Sequence, residues 1–201
     1  VPASKYLSAE ERRAETVAAV LSLAADRSPD EITTAAIAGE MNVTQGALFR
    51  HFPNKQTVWE EVMKWIAHRL MRRVDASSSA AATPLAALES VFNAHIDFVC
   101  RHPGVPRMVF SELQRPDETA AKRVARSLQR AYARRVSKLL EEGKSAGEVN
   151  ADIDVTAARV LFIGAVQGLV VQSLLLADKG VVRRHAPGVF ACYRRAIEES
   201  S

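Results

Sequence analysis

The sequence predicts an all-α fold, and three observations carry that expectation. Apolar residues recur at helical spacing through most of the chain, no stretch sustains strand-like alternation, and the breaks fall at Ser, Pro and Asn clusters. Of the 201 residues 48% are hydrophobic, ample for a packed core and too many for a disordered chain. The net charge of +4 suits a nucleic-acid partner without selecting one.

Taken in order, Ser8 with Glu11 three residues on forms a capping-box pattern that starts a first helix. Val17, Val20, Leu21 and Ala24 fall on one face of it, and it should stop before Ser28-Pro29-Asp30. Ile32-Thr33-Thr34 leads into a short helix from Ala35 to Met41. Asn42-Val43 then turns into another from Thr44 to Phe52, which Pro53-Asn54 ends. A longer helix follows from Lys55 to about Val74, and the run from Ser77 to Thr83 reads as a linker. Further helices are expected over Pro84 to Arg101, Val105 to Gln114, Asp117 to Ala146, Asp154 to Ala177 and Pro187 to Glu199. Residues 1–54 form one expected domain, 55–75 the boundary helix and 76–201 a second domain.

The segment Thr33 to Phe52, TTAAIAGEMNVTQGALFRHF, is the most informative. Two such short helices join tightly only through a residue that tolerates the left-handed region, and Asn42 stands there. Ala38 allows close approach, while Ile37, Val43, Leu48 and Phe52 are spaced to face inward. Gln45, Gly46, Ala47, Phe49, Arg50 and His51 are left outward. Those residues suit a major groove: Gln45 matches an adenine edge, Arg50 a guanine edge or a phosphate, and Ala47 a thymine methyl. Gly46 lets the backbone come close. Thr33, Thr34 and Thr44 stand at helix starts, where hydroxyls and free N–H groups suit phosphate, and Lys55 adds a cation.

From Arg13 through Val62 the chain resembles the N-terminal domain of TetR-family regulators. TT-x-x-IA and NVTQGALFRHFPNKQTVWEEV are its most telling parts. The resemblance covers about a quarter of the chain. The family usually has Gly where Asn42 stands, and often Tyr at Phe49, whose hydroxyl meets a phosphate; Phe49 cannot make that bond. The resemblance implies an N-terminal three-helix helix-turn-helix DNA-binding domain plus a C-terminal helical ligand-binding and dimerisation domain. It also implies a homodimer formed through the last two long helices, a double-stranded DNA operator, and a small-molecule effector.

For the second domain the residues themselves say less. The uncharged run Val160 to Ala177 is too apolar all round for a helix exposed on a monomer, and burial in a dimer would account for it. Phe92, His95 and Val99 share a stripe, with Phe98 beside them; Met108, Phe110, Phe162 and Gln167 complete the pocket candidates. Each of these also fits ordinary core packing. Apolar walls with few polar groups suit a hydrophobic or aromatic effector. Lys122, Arg126, Arg130, Arg134 and Lys138 recur every four residues, a solvated face or a dock for an anionic effector or acidic partner.

Other functions find little support. Cys100 and Cys192 lie far apart without metal-ligand spacing, so neither a disulfide framework nor a metal site is expected, and a reducing cytoplasm is. The segment Val1 to Glu11 lacks the apolar core of a signal peptide, and without an initiator Met some residues are expected to precede it. Gln167, Gln172 and Ser173 weigh against a membrane span despite the Gly164–Gly168 pair. No cofactor loop or catalytic set emerges, so the chain is not expected to be an enzyme. The expectation is a ligand-responsive repressor on a palindromic operator, the alternative a helical small-molecule binding or carrier protein.

Overall fold

The computed structural model describes residues 8–178 and 180–198. The expected helix end at Glu199 and the segment before Ser8 lie outside them. Among the described residues there are nine α-helices and no strand: α1 (Ala9–Ala24), α2 (Thr34–Glu40), α3 (Gln45–Phe49), α4 (Lys55–Ser79), α5 (Pro84–Arg101), α6 (Gly104–Gln114), α7 (Ala120–Ser145), α8 (Val155–Leu175) and α9 (Val181–Ile197). A 3-10 turn at Pro29–Glu31 follows α1. The chain forms two compact units, one of residues up to 67 with 102–126, the other of 68–101 with 127–201.

In the first unit, α1 starts on the expected capping box. Glu11 N–H donates to Ser8 Oγ at 3.1 Å, and Ser8 N–H to Glu11 Oε2 at 2.8 Å. Its face of Val17, Val20, Leu21 and Ala24 is buried, together with Ile32, Ile37, Leu48 and Phe52. The helix α6 packs on α1, although the sequence places it in the second domain. The contact is close at Gly104, where an added Cβ would stand 2.2 Å from the Leu21 carbonyl oxygen. Only glycine lets the two backbones meet there.

In the second unit, α5, α8 and α9 pack on one another around Leu88, Phe92, Phe98, Leu140, Phe162 and Phe190. An ion-pair node ties α4, α5 and α9. Asp97 accepts from Arg73 at 2.9 Å and Arg101 at 2.8 Å, with Arg183 at 3.8 Å. Burial alone would raise the Asp97 carboxyl, but the bonds from Arg101 and Arg73 outweigh it and hold the pKa below its ordinary value. At the reversal between α7 and α8, Glu148 accepts from the Leu85 N–H at 2.8 Å and so caps α5.

Four expected boundaries are corrected. The helix α9 begins at Val181 and carries Pro187 inside it. Val182, Ala186, Phe190, Tyr193 and Ile197 bury one continuous face, and that burial outweighs a proline cost of about 3 kcal/mol. The expected linker at Ser77 is still helix, since α4 runs to Ser79 and Ser77 Oγ donates back to the Val74 carbonyl at 3.0 Å. The helix α3 closes at Phe49 rather than Phe52, with Thr44 as its N-cap. The helix α7 starts at Ala120 instead of Asp117, because Thr119 takes the capping role: its Oγ1 accepts from the Lys122 N–H at 3.0 Å.

Candidate functional site

The pair α2–α3 is built from local chemistry. Thr33 caps α2, its Oγ1 accepting from the Ala36 N–H at 3.1 Å, and Thr44 caps α3 by accepting from the Ala47 N–H at 3.2 Å. Between them Asn42 adopts φ 53°, and the Val43 N–H donates to the Ala38 carbonyl at 2.9 Å, closing α2 with a left-handed residue. Ile37, Ala38, Leu48 and Phe52 turn inward and are buried, with Val43 half-buried. Gln45, Gly46, Phe49 and Arg50 remain exposed, as do Thr33 and Thr44, while Thr34, Ala47 and His51 are half-buried.

This face has the chemistry of a nucleic-acid reader. Phe49 is 43% exposed, a large ring left in water. A Cβ on Gly46 would meet nothing closer than Thr44 Oγ1 at 3.8 Å, so the fold itself gives no reason for a glycine there. The Thr33 and Thr44 hydroxyls accept their capping bonds and keep a proton to donate. Gln45 Nε2 donates to Thr34 Oγ1 at 3.1 Å, a link between the two helices that sequence reasoning missed.

Lys55 behaves differently from its neighbours. Its Nζ donates to the Pro29 carbonyl at 3.3 Å and the Asp30 carbonyl at 3.2 Å, and lies 4.6 Å from the Trp59 ring centroid. Desolvation pulls its pKa below the ordinary value, against the attraction of Asp30. Two of its three ammonium protons thus cap the 3-10 turn, and one is left for an outside partner.

The expected effector residues fall into separate places. Phe92, His95 and Phe162 meet in the second unit. The Phe92 and Phe162 rings are edge-to-face with centroids 5.7 Å apart, and His95 Nδ1 is in hydrogen-bond contact with the Tyr132 hydroxyl at 3.1 Å. Phe98 is buried beside the Arg73 guanidinium, 6.0 Å from it. Met108 is buried and Phe110 half-buried on α6, in the first unit, and Gln167 is exposed on α8. Tyr132, Phe190 and Tyr193 complete the aromatic cluster around Phe162 and were not picked out from sequence. The Phe190–Tyr193 spacing on the apolar face of α9 was the available signal.

Burial lowers the His95 pKa to about 4, so the ring is neutral near neutral pH. Burial also raises the Tyr132 and Tyr193 phenols, and the Tyr193 hydroxyl is enclosed without a hydrogen-bond partner. The basic series on α7 is not one solvated stripe. Lys122 is buried, its Nζ donating to the Arg115 carbonyl, and Arg126 pairs with Glu118. Arg130 and Arg134 are exposed.

On the other side of α8, Val160, Leu161, Val171, Leu175 and Leu176 are exposed. Added Cβ atoms at Gly164, Gly168 and Gly188 would meet nothing within 4 Å. Leu161, Ala165, His185, Gly188 and Cys192 line a groove of about 530 Å³ between α8 and α9. By length and composition alone α8 could also cross a membrane.

Residues 17–62 match the family of bacterial regulatory proteins of the tetR family, and residues 81–171 match the tetracyclin repressor-like C-terminal domain. The nucleoid occlusion factor SlmA of Haemophilus influenzae is 28% identical over 101 residues, 50% of this chain and 46% of that protein. The chain thus spans about half the length of the curated relatives it matches. The ketosteroid transcriptional regulator KstR2 of Mycobacterium tuberculosis has the same fold (TM-score 0.78, 19% identity, 94% of this chain and 96% of that one). So does the transcriptional regulator FadR of Bacillus subtilis, solved with stearoyl-CoA (TM-score 0.76, 18% identity, 90% and 96%).

Proposed function

The chain belongs to the tetR family of bacterial regulatory proteins, and from that premise we propose that it is a ligand-responsive transcriptional repressor binding a palindromic DNA operator as a homodimer. One observation carries the reading. The exposed face of α3 sets Gln45, Gly46, Phe49 and Arg50 outward on a helix pair locked from behind by Ile37, Leu48 and Phe52. Gln45 and Arg50 read base edges, Ala47 and Phe49 pack on methyl and sugar groups, and Gly46 admits the backbone. Thr33, Thr44, His51 and the last proton of Lys55 hold the phosphates.

The homodimer reading is supported by the outward face of α8 and α9. Interior helical glycines each cost about 1 kcal/mol against alanine, and nothing inside the chain repays Gly164, Gly168 or Gly188. A second copy of the same helices would. Two heads would then meet half-sites about 34–36 Å apart or a multiple of that. The same reading places the protein in the cytoplasm, with α8 buried between protomers and not in a membrane.

The effector is a hydrophobic or aromatic small molecule held by Phe92, His95 and Phe162, with Phe98 beside them; Met108, Phe110 and Gln167 are assigned more weakly, since they lie apart. FadR of Bacillus subtilis, a relative of fold, is solved with stearoyl-CoA, whose acyl chain has that character. Bound effector favours a body conformation whose recognition helices no longer fit the half-site spacing, which requires different affinities for the two states. The reading assigns no catalytic step.

Selection of operators from random duplex DNA, followed by titration against salt, tests this directly. A palindromic consensus bound with steep salt dependence is expected, because phosphate contacts release counterions. If no sequence is enriched, with or without candidate hydrophobic ligands, the operator reading fails, and a carrier role for the aromatic body takes its place.

A further inference from the structure

A glutamine reads adenine only when both ends of its carboxamide face one base edge, Nε2 donating to N7 and Oε1 accepting from N6. An exposed glutamine meets that geometry seldom, because its side-chain torsions rotate freely and ordering them costs entropy. Gln45 is such a residue: it opens α3 and is exposed, so packing does not hold it.

It is held from the neighbouring helix. Gln45 Nε2 donates to Thr34 Oγ1 at 3.1 Å, and Thr34 is the first residue of α2, whose N-cap is Thr33. The span between the two side chains is set by the backbone, since the left-handed Asn42 turn and the buried Ile37 and Leu48 fix α3 against α2. The arithmetic of protons is favourable. Nε2 has two; one goes to Thr34, which leaves the anchored amide a second proton to donate and Oε1 to accept, the two functions that adenine requires.

We infer that Thr34 is a positioning residue for base reading, anchoring Gln45 so that its carboxamide meets an adenine edge already oriented. This rests on the proposed operator binding through Gln45, and it gives Thr34 a different task from the phosphate contact expected of a threonine at a helix start. Thr33 and Thr44 spend their hydroxyls on their own helices; Thr34 spends its on another residue's side chain.

The test uses the full chain and its selected operator. Gln45→Ala first identifies the base pair read by Gln45; affinities of wild type, Thr34→Val, Thr34→Ala and Thr34→Ser are then measured on all four bases at that pair, at several salt concentrations. Thr34→Val and Thr34→Ala are expected to lower discrimination at that pair about three- to tenfold, the worth of one hydrogen bond. Other base pairs and the salt slope should hold, Thr34→Ser should retain the preference, and Thr34→Val should add nothing to Gln45→Ala.

Uniform weakening on every sequence with a flatter salt slope would make Thr34 a phosphate contact and overturn the positioning role. Unchanged discrimination overturns it equally, as does a Gln45→Ala variant that loses no base preference. If wild type selects no consensus, the operator reading falls and the positioning role falls with it. A consensus that Thr34 variants leave untouched removes the positioning role alone. Thermal melts of each variant separate these effects from a damaged α2, and Thr34→Ala, with the best helix former, preserves the helix if Thr34→Val does not.

Discussion

Two faces of this molecule carry glycines that the fold does not need, and they differ in every other respect. On the α3 face, Gly46 stands among Gln45, Arg50 and two capping threonines. On the α8–α9 face, Gly164, Gly168 and Gly188 stand among Leu161, Val171 and Leu175. An added Cβ meets open space at the latter three, and only Thr44 Oγ1 at ordinary contact distance at Gly46. Gly104 is the contrast, since its reason lies inside the chain, against the Leu21 carbonyl. Gly39 on α2 also has open space around it, so a glycine without an internal reason fits a backbone approached from outside but does not by itself require one. The surroundings then say by what: polar and cationic groups for a nucleic acid, leucines and valines for another protein surface.

Charge does not divide the same way. Acidic and basic residues balance over residues 1–67 and 102–126, so the excess of +4 falls wholly in the other unit. If the proposed α3 face reads DNA, its specificity comes from donors and acceptors rather than from bulk charge, and the overall positive sign does not point to it.

The largest expected effect strikes the apolar face. Leu161→Arg, at a position already 53% exposed, should leave each protomer folded yet weaken association by roughly 100-fold, about 3 kcal/mol, with operator affinity falling alongside. Sedimentation at micromolar protein reads the first and operator titration the second. A variant that stays dimeric would remove α8 from the interface and with it the reason given for its glycines.

Next comes the body's interior. The folded His95 pKa near 4 lies below the unfolded value of 6.5, so between those values the unfolded chain binds the proton more readily. Stability is whole above about pH 6.5 and is lost as pH falls toward 4, by about 2–3 kcal/mol. Denaturant midpoints at neutral and acid pH should separate wild type from His95→Gln, which lacks this dependence. Equal acid sensitivity in the two would mean that His95 is not held neutral in the body's core.

The smallest effect is also the sharpest comparison. Gly46→Ala should leave the melting temperature unchanged or slightly raised, by up to about 1 kcal/mol of helix propensity, while operator affinity drops about tenfold. Gly168→Ala should gain the same propensity and act on association instead, with the monomer's DNA contacts intact. Should both variants keep full affinity and full dimerisation, the glycines have no outside reason and the two faces are alike only by accident.

What the sequence by itself determined was what neighbouring residues settle among themselves. The Ser8–Glu11 capping box, the left-handed Asn42 and the inward set Ile37, Leu48 and Phe52 are all found in the structure. Each depends on contacts a few residues away, so local spacing is enough. Tertiary structure decided the rest. Lys55 turns its ammonium to Pro29 and Asp30 because the 3-10 turn comes to lie within its reach. The helix α6 joins α1 through Gly104, and α9 continues through Pro187 because its buried face runs on past the proline. The expected effector residues scatter because an apolar stripe announces burial but not against which helix. Which faces meet is a question of long-range packing free energy, summed over residues far apart in the chain, and no local pattern encodes it.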